Sequence, residues 1–302
     1  MADAAGHKFG QFIGKYCEAA LEPILQEFAD KHGLYLDKKG PRPARNVEYV
    51  QWKNCYGFYH NLDYVLERGG TPEKIGRPVA FIESAWRRYT KHSVNKAAEI
   101  TGAVVPTAQE HRFSAPMLGC ILVGDYSTPP LEQLKKIGFK VLYLNYESVL
   151  EAFKTVGIDA WFDEKTPEAV HIERKKQWDA LSEEERTKVW RKLIELNEKN
   201  LRNFKLRLER AVKRLITAVR IIPLHGTPVE YVTVHEAISF VEDYDEKAAH
   251  GPLLKYEILI RYDNGDKIDA SFEDRATTIE FLQAYESGNW TPVIDDLNEE
   301  VL

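Results

Sequence analysis

No stretch of this 302-residue chain approaches the roughly 18 consecutive apolar residues that a membrane-crossing helix requires. Cysteine is scarce: Cys17, Cys55 and Cys120 are odd in number, far apart and outside any CxxC pattern. That speaks against a disulfide frame or a zinc ribbon and fits reduced thiols in a cytoplasm. The nine histidines are scattered, without HExxH or paired His/Cys spacing, which disfavours a zinc enzyme. GxxxxGK[ST], GxSxG and a GxGxxG following a strand are all missing, so kinase, GxSxG-type hydrolase and dehydrogenase readings find little support. The first residues, MADAAGHKFGQ, have neither the cationic start nor the apolar stretch of a secretory signal, and a cytoplasmic location is the expectation. Internal repeats and low-complexity segments are absent as well.

What is present is an ordinary globular composition, 44% hydrophobic and 29% charged, long enough for one large domain or two smaller ones. The net charge of −6 argues mildly against a nucleic-acid partner. A focused basic face can nevertheless sit on an acidic molecule, so the distribution decides.

Apolar residues recur at helical intervals from 9 to 32, and Gly33 closes that helix. A basic Pro/Gly-rich loop spans 38–45. Strand patterns follow at 47–59, 62–66 and 79–86, the last two separated by Gly69-Gly70-Thr71-Pro72. Residues 93–101 read as a helix with Ser93 as N-cap. LGCILVG at 118–124 is a central strand covered on both faces, 130–137 a short helix, 140–144 a buried strand and 146–155 a helix. This order describes an α/β layer structure around a mixed sheet. Residues 167–220 are charged and helical, with SEEE at 182–185 capping the longest helix. Strands at 230–234, 255–262 and 267–272, a hairpin turn at Asp263-Asn264-Gly265-Asp266 and a helix at 277–285 complete a small α+β part. The expected boundary lies near 157–167, giving domains 1–160 and 161–302.

Glu83 poses the chemical question. It interrupts the apolar run Val79-Ala80-Phe81-Ile82, where a lone carboxylate costs several kcal/mol. Asp63 has a similar setting at the head of the short strand LDYVL. On adjacent antiparallel strands the two acids would project from one end of the sheet. Two close carboxylates are hard to keep ionised without a cation, and Mg²⁺ answers that need while leaving room for waters and a phosphate. A buried ion pair of Glu83 with Arg87 or Arg88 is the plain structural alternative.

The helix, three strands, helix, strand order, with Asp63 on the second strand and Glu83 on the third, resembles the PD-(D/E)XK nuclease superfamily. The resemblance covers roughly residues 9 to 145, and "FIESAWRRYTKHSVNKAAEI" looks like segments of bacterial type II restriction endonucleases. It implies a restriction-endonuclease-like mixed sheet flanked by helices, a Mg²⁺-dependent endonuclease acting on double-stranded DNA, and Asp63 and Glu83 as metal ligands. The family pattern places Lys two residues after the Glu, where this chain has Ala85. Three readings stay open: the cation has moved to the following helix as Lys91 or Lys96, the chain is inactivated, or the match is a coincidence. Migration is favoured, because Arg87, Arg88, Lys91, His92 and Lys96 follow so closely. The superfamily also uses a helix-borne Glu near the N-terminus. Glu18, four residues after Gly14 and eight after Gly10, is the candidate, since small residues let that face approach the sheet. Lys53, Gln51 and Glu67 are weaker candidates, Glu67 as a supporting or merely exposed acid.

From 188 to 220 eleven Lys or Arg face three Glu, a local excess of eight positive charges above an apolar stripe. Arg202, Lys205 and Arg210, together with Arg87 and Arg88, are the candidate DNA contacts through phosphate charge. A solvated amphipathic helix or a dimer arm would look the same. Base-specific contacts are expected from the C-terminal part or from the 38–45 loop. The leading expectation is a site-specific restriction enzyme working as a homodimer. A repair or phage-defence nuclease with partner subunits, and a catalytically silent DNA-binding or assembly module, are the alternatives.

Overall fold

The computed structural model describes residues 5–224, 226–247 and 253–286, with backbone alone for residues 5–9, 11, 15, 18 and 19. The chain divides into two compact units. One comprises residues 1–110 and 116–212, the other residues 111–115 and 213–302. The expected boundary near 160 therefore falls inside the first unit. The reason is packing: Trp178, Val189, Leu193, Leu201, Phe204 and Leu208, all beyond residue 160, belong to the same apolar cluster as Leu142 and Val149.

The first unit holds a five-stranded mixed sheet flanked by helices. Its strands are β1 (Leu34–Lys38), β4 (Tyr64–Arg68), β5 (Arg77–Arg87), β6 (Met117–Gly124) and β7 (Lys140–Asn145), adjacent in that order. The pairings β1–β4 and β4–β5 are antiparallel, whereas β5–β6 and β6–β7 are parallel. A separate antiparallel ribbon of β2 (Val50–Lys53) and β3 (Tyr59–Leu62) replaces the single strand expected over 47–59. Asn54 and Gly57, at φ +83°, turn the chain there. Strand β1 had no sequence expectation, because LYLDK is short and follows directly on a helix.

Alternation along β5 sorts the sheet into two faces. Ala80, Ile82 and Trp86 join the cluster under α1 (Ala5–Lys31), α4 (Tyr146–Lys154), α6 (Glu183–Leu196) and α7 (Glu198–Lys213). Phe81 and Ala85 join the cluster under α2 (Ser93–Glu110) and α3 (Thr128–Ile137), with Ala97, Ile100, Val104 and Leu134 opposite them. Burying a side chain such as the fully enclosed Phe81 contributes about 1.5–3 kcal/mol. The expectation that small residues bring the first helix close to the sheet is met at Gly14, where a Cβ would lie 2.9 Å from the Trp86 Cβ. Ser93 does not cap α2. A 3₁₀ turn at Thr90–His92 runs straight into the helix, and the Ser93 hydroxyl donates back to the Thr90 carbonyl at 2.6 Å.

The charged stretch after Pro167 forms α5 (Glu168–Asp179), α6 and α7, and α6, expected to be the longest helix, has 14 residues against 27 in α1. Ser182 and Glu185 form the reciprocal cap expected at the start of α6. The break between α6 and α7 falls at Asn197, whose side chain donates to the Leu193 carbonyl at 2.9 Å.

The second unit is an antiparallel sheet of β8 (Ile216–Pro223), β9 (Val229–Tyr231), β10 (Tyr256–Tyr262) and β11 (Lys267–Phe272), ordered β11-β10-β8-β9. Two helices, α8 (Val234–Asp243) and α9 (Arg275–Glu286), pack with it around Tyr256, Ile258 and Phe281. The strand expected over 230–234 ends at Tyr231, and the residues just beyond it carry no sequence expectation of a helix. A Thr233–Glu236 capping box instead starts a helix there. Among the described residues no helix is long and apolar enough to cross a membrane.

Candidate functional site

Asp63 sits in the bend between β3 and β4, one residue before the second strand on which it was expected. The antiparallel register ends with Val65↔Phe81 and Tyr64↔Ile82; continued by one step past the strand, it would set Asp63 opposite Glu83. Directly opposed residues share a sheet face, with Cβ atoms about 4.5–5.5 Å apart. That face is the one of Val65, Phe81 and Ala85, covered by α2. Asp63 Oδ2 accepts the Ser84 backbone N–H at 2.7 Å, which ties its carboxylate to β5 beside Glu83. Burial raises the Asp63 pKa above the usual aspartate value, while the Ser84 N–H and the Lys96 cation pull it down. Glu83 is 8% exposed. The parallel register sets Cys120 next to it on β6, and burial first, then the Glu83 charge, raise the Cys120 thiol.

Two of the expected cations separate clearly. Lys96 lies in the first half of α2, close enough to Asp63 to stabilise its ionised form, and its Nζ is 3.2 Å from Glu99 Oε2. Lys91 pairs with Glu164 and lies 5.4 Å from the Tyr89 ring centre, on an exposed surface. Ala85, where the family pattern has Lys, shares the face of Glu83 but is enclosed in the apolar cluster. Its carbonyl accepts the Tyr126 hydroxyl at 3.3 Å. Of the two lysines weighed for that role, Lys96 on α2 is the one that acts on Asp63. Glu99 was not singled out in the sequence. It receives Lys96 and, at 3.7 Å, Arg87. Its spacing of three from Lys96 on a helix was the available signal.

Arg88 is a structural residue. It donates to the Phe162 carbonyl at 2.7 Å and to Asp125 at 3.0 Å, and stacks 4.2 Å from the Tyr146 ring centre. With its side chain only 12% exposed, it is committed to those partners rather than to phosphate. Arg87 is half-buried, donating to the Trp86 carbonyl. Glu18 belongs to α1, which covers the opposite sheet face from Asp63 and Glu83, and its side chain lies outside the described residues.

Glu67 is neither exposed nor supporting. It is fully buried and accepts both guanidinium nitrogens of Arg42, at 2.7 and 2.9 Å, together with the Gly76 N–H at 2.6 Å. A β-bulge between Leu66 and Glu67 takes it out of the alternation that had put it with Asp63. Arg42 also reaches Asp37 at 2.9 Å, and Arg45 reaches the same carboxylate at 2.9 Å. The 38–45 loop therefore spends two of its four cations inside the fold.

On α7, Leu201, Phe204 and Leu208 are buried against Leu21, Leu25 and Phe28 of α1. Arg202 is exposed and paired with Glu198, Lys205 lies 3.7 Å from Glu27, and Arg210 is exposed. Arg214 and Arg220 belong to the second unit, bound to Asp266 and Glu230 at 2.7 Å each. The cationic stretch is thereby divided and largely matched by acids.

Among the described residues no group of three or more His, Cys, Asp or Glu side chains could hold a metal ion. A pair of carboxylates nevertheless suits Mg²⁺, which keeps several waters and binds through one or two carboxylates plus a phosphate. No family model and no curated protein matches the chain. A solved structure described as a protein of unknown function, AF1548, matches at 13% identity with a TM-score of 0.28, over 63% of this chain and 91% of that one. Similarity at that level carries no argument.

Proposed function

We propose that this protein is a Mg²⁺-dependent endonuclease of restriction-endonuclease-like fold that hydrolyses phosphodiester bonds of double-stranded DNA. The observation that supports it is the hydrogen bond from the Ser84 N–H to Asp63, which holds that carboxylate against β5 next to Glu83, with the Lys96 cation acting on Asp63. In this reading Asp63 and Glu83 hold the ion. A bound Mg²⁺ supplies Lewis acidity toward the phosphate and lowers the pKa of a coordinated water. The Ser84 N–H fixes the Asp63 carboxylate, and Lys96 balances the charge that gathers on the phosphate in the transition state. A homodimer would bring two such sites to two strands.

The deciding experiment is digestion of a defined plasmid with Mg²⁺ and with EDTA, followed by end mapping. Cleavage that needs Mg²⁺ and disappears in both Asp63→Ala and Glu83→Ala is the expected result. Full cleavage by both variants would sink the site. Binding to DNA without cleavage would turn the reading to a silent module of the same fold.

A further inference from the structure

We infer that the outward face of the β2–β3 ribbon reads base edges in the DNA major groove beside the cut. The inference rests on the nuclease reading and adds where sequence is recognised.

The ribbon has two unlike faces. Val50, Trp52 and Leu62 point inward and are buried, the Trp52 ring standing edge-on to Phe81 at 5.3 Å. The outward positions pair Gln51 with Asn61 and Lys53 with Tyr59. Gln51 Nε2 donates to Asn61 Oδ1 at 2.9 Å. That bond uses neither the Gln51 carbonyl nor the Asn61 amide N–H groups, on residues that are half-buried and exposed respectively. An amide offering donor and acceptor side by side matches N6 and N7 of adenine, and the major groove admits a two-stranded ribbon.

The tip is built to hold aromatics in water. Asn54, only 3% exposed, accepts the backbone N–H groups of Tyr56 and Phe58 at 2.9 and 3.0 Å. It also donates its own backbone N–H to the Phe58 carbonyl at 2.8 Å. The Cys55 N–H reaches across to the Pro106 carbonyl of α2 at 3.2 Å. On this fixed turn Tyr56 and Phe58 are 70% exposed and Tyr59 65%. Three large rings held in solvent within four residues mark a binding surface, and exposed rings are what nucleobases stack on or are wedged by.

Charge and position name the occupant. Residues 49–62 contain Lys53 and no Asp or Glu, in a chain of net charge −6. Lys39 lies 5.2 Å from the ring centre of Tyr49, itself half exposed, at the base of the ribbon. Asn61 is two residues from Asp63, so the reading face leads directly to that acid along the chain.

Two double variants test the assignment: Gln51→Ala with Asn61→Ala, and Tyr56→Ala with Phe58→Ala. Each is compared with the parent by thermal melting, by fluorescence anisotropy on a pool of 30-base-pair duplexes in EDTA, and by end mapping of Mg²⁺ digests. With melting unchanged, the amide variant should lose roughly tenfold to a hundredfold of its preference among cut sites. The aromatic variant should bind the duplex pool at least about tenfold more weakly. Unchanged cut sites and affinities within about twofold in both variants overturn the ribbon and leave the nuclease reading intact. If the parent cuts no DNA, the nuclease reading fails and anisotropy alone judges the ribbon. An unchanged affinity, or no duplex binding by the parent, then overturns it.

Discussion

A carboxylate that resists ionisation makes a site sensitive to both proton and metal. Asp63 has its pKa raised by burial, so its charged form costs the metal-free fold stability. For an acid with a raised folded-state pKa, that stability is present at low pH and lost as pH rises through the folded value. Asp63→Asn should therefore melt higher than the parent in EDTA at pH 7, with the gap closing near pH 4, as calorimetry would show. Activity should fall on acidification with a midpoint above the usual aspartate value of about 3.9, moving lower as Mg²⁺ is increased. Lys96→Ala should cut cleavage by about two orders of magnitude or more, whereas Lys91→Ala, whose partner is Glu164, should stay within about twofold in single-turnover assays. Both acids were legible in the sequence because a carboxylate inside an apolar run needs a reason. Which lysine accompanies them was not, since nearby positions on a turn and a helix point to different places. Glu67 misled because strand alternation cannot foresee a bulge.

Elements tell a similar story of local patterns and tertiary exceptions. Strands β5, β6 and β7 and helices α3 and α4 were readable from apolar runs bounded by Gly and Pro. Strand β8 and helix α8 were not, because ITAVRIIP continues a cationic stretch that reads as helix and VHEAISFVED follows strand-like residues. The basic loop between β1 and β2 is, from its sequence, a candidate for base contacts. In the fold its Arg42 is 4% exposed and neutralises two buried acids, Asp37 and Glu67. Removing one side of such a network leaves uncompensated charge, so Arg42→Ala should destabilise the first unit by about 3–5 kcal/mol in urea titrations. Gly70→Ala should also be costly, because its Cβ would lie 2.4 Å from Glu67 Oε2 in the same network. Milder losses in both would show that the loop is held by other contacts.

The whole molecule divides where composition gives no sign. The shift to charged helices at 167 suggested a boundary, yet those helices cover the α1 side of the main sheet. A fragment ending at residue 160 should therefore expose that apolar face and aggregate. One ending at Val212 should melt cooperatively by circular dichroism. The opposite pattern would return the boundary to the expected place. The division has one peculiarity: the chain leaves the first unit at Glu110, contributes residues 111–115 to the second, and returns at Pro116 to begin β6. Those five residues are stitched in by Arg214, which donates to the Ser114 and Ala115 carbonyls, by the Tyr285 hydroxyl on the Phe113 carbonyl, and by Phe113 edge-on to Phe281 at 5.3 Å. A protease nick after Val212 would thus yield two bands on a denaturing gel from particles that still elute as one, each half keeping hold of the other by a five-residue thread.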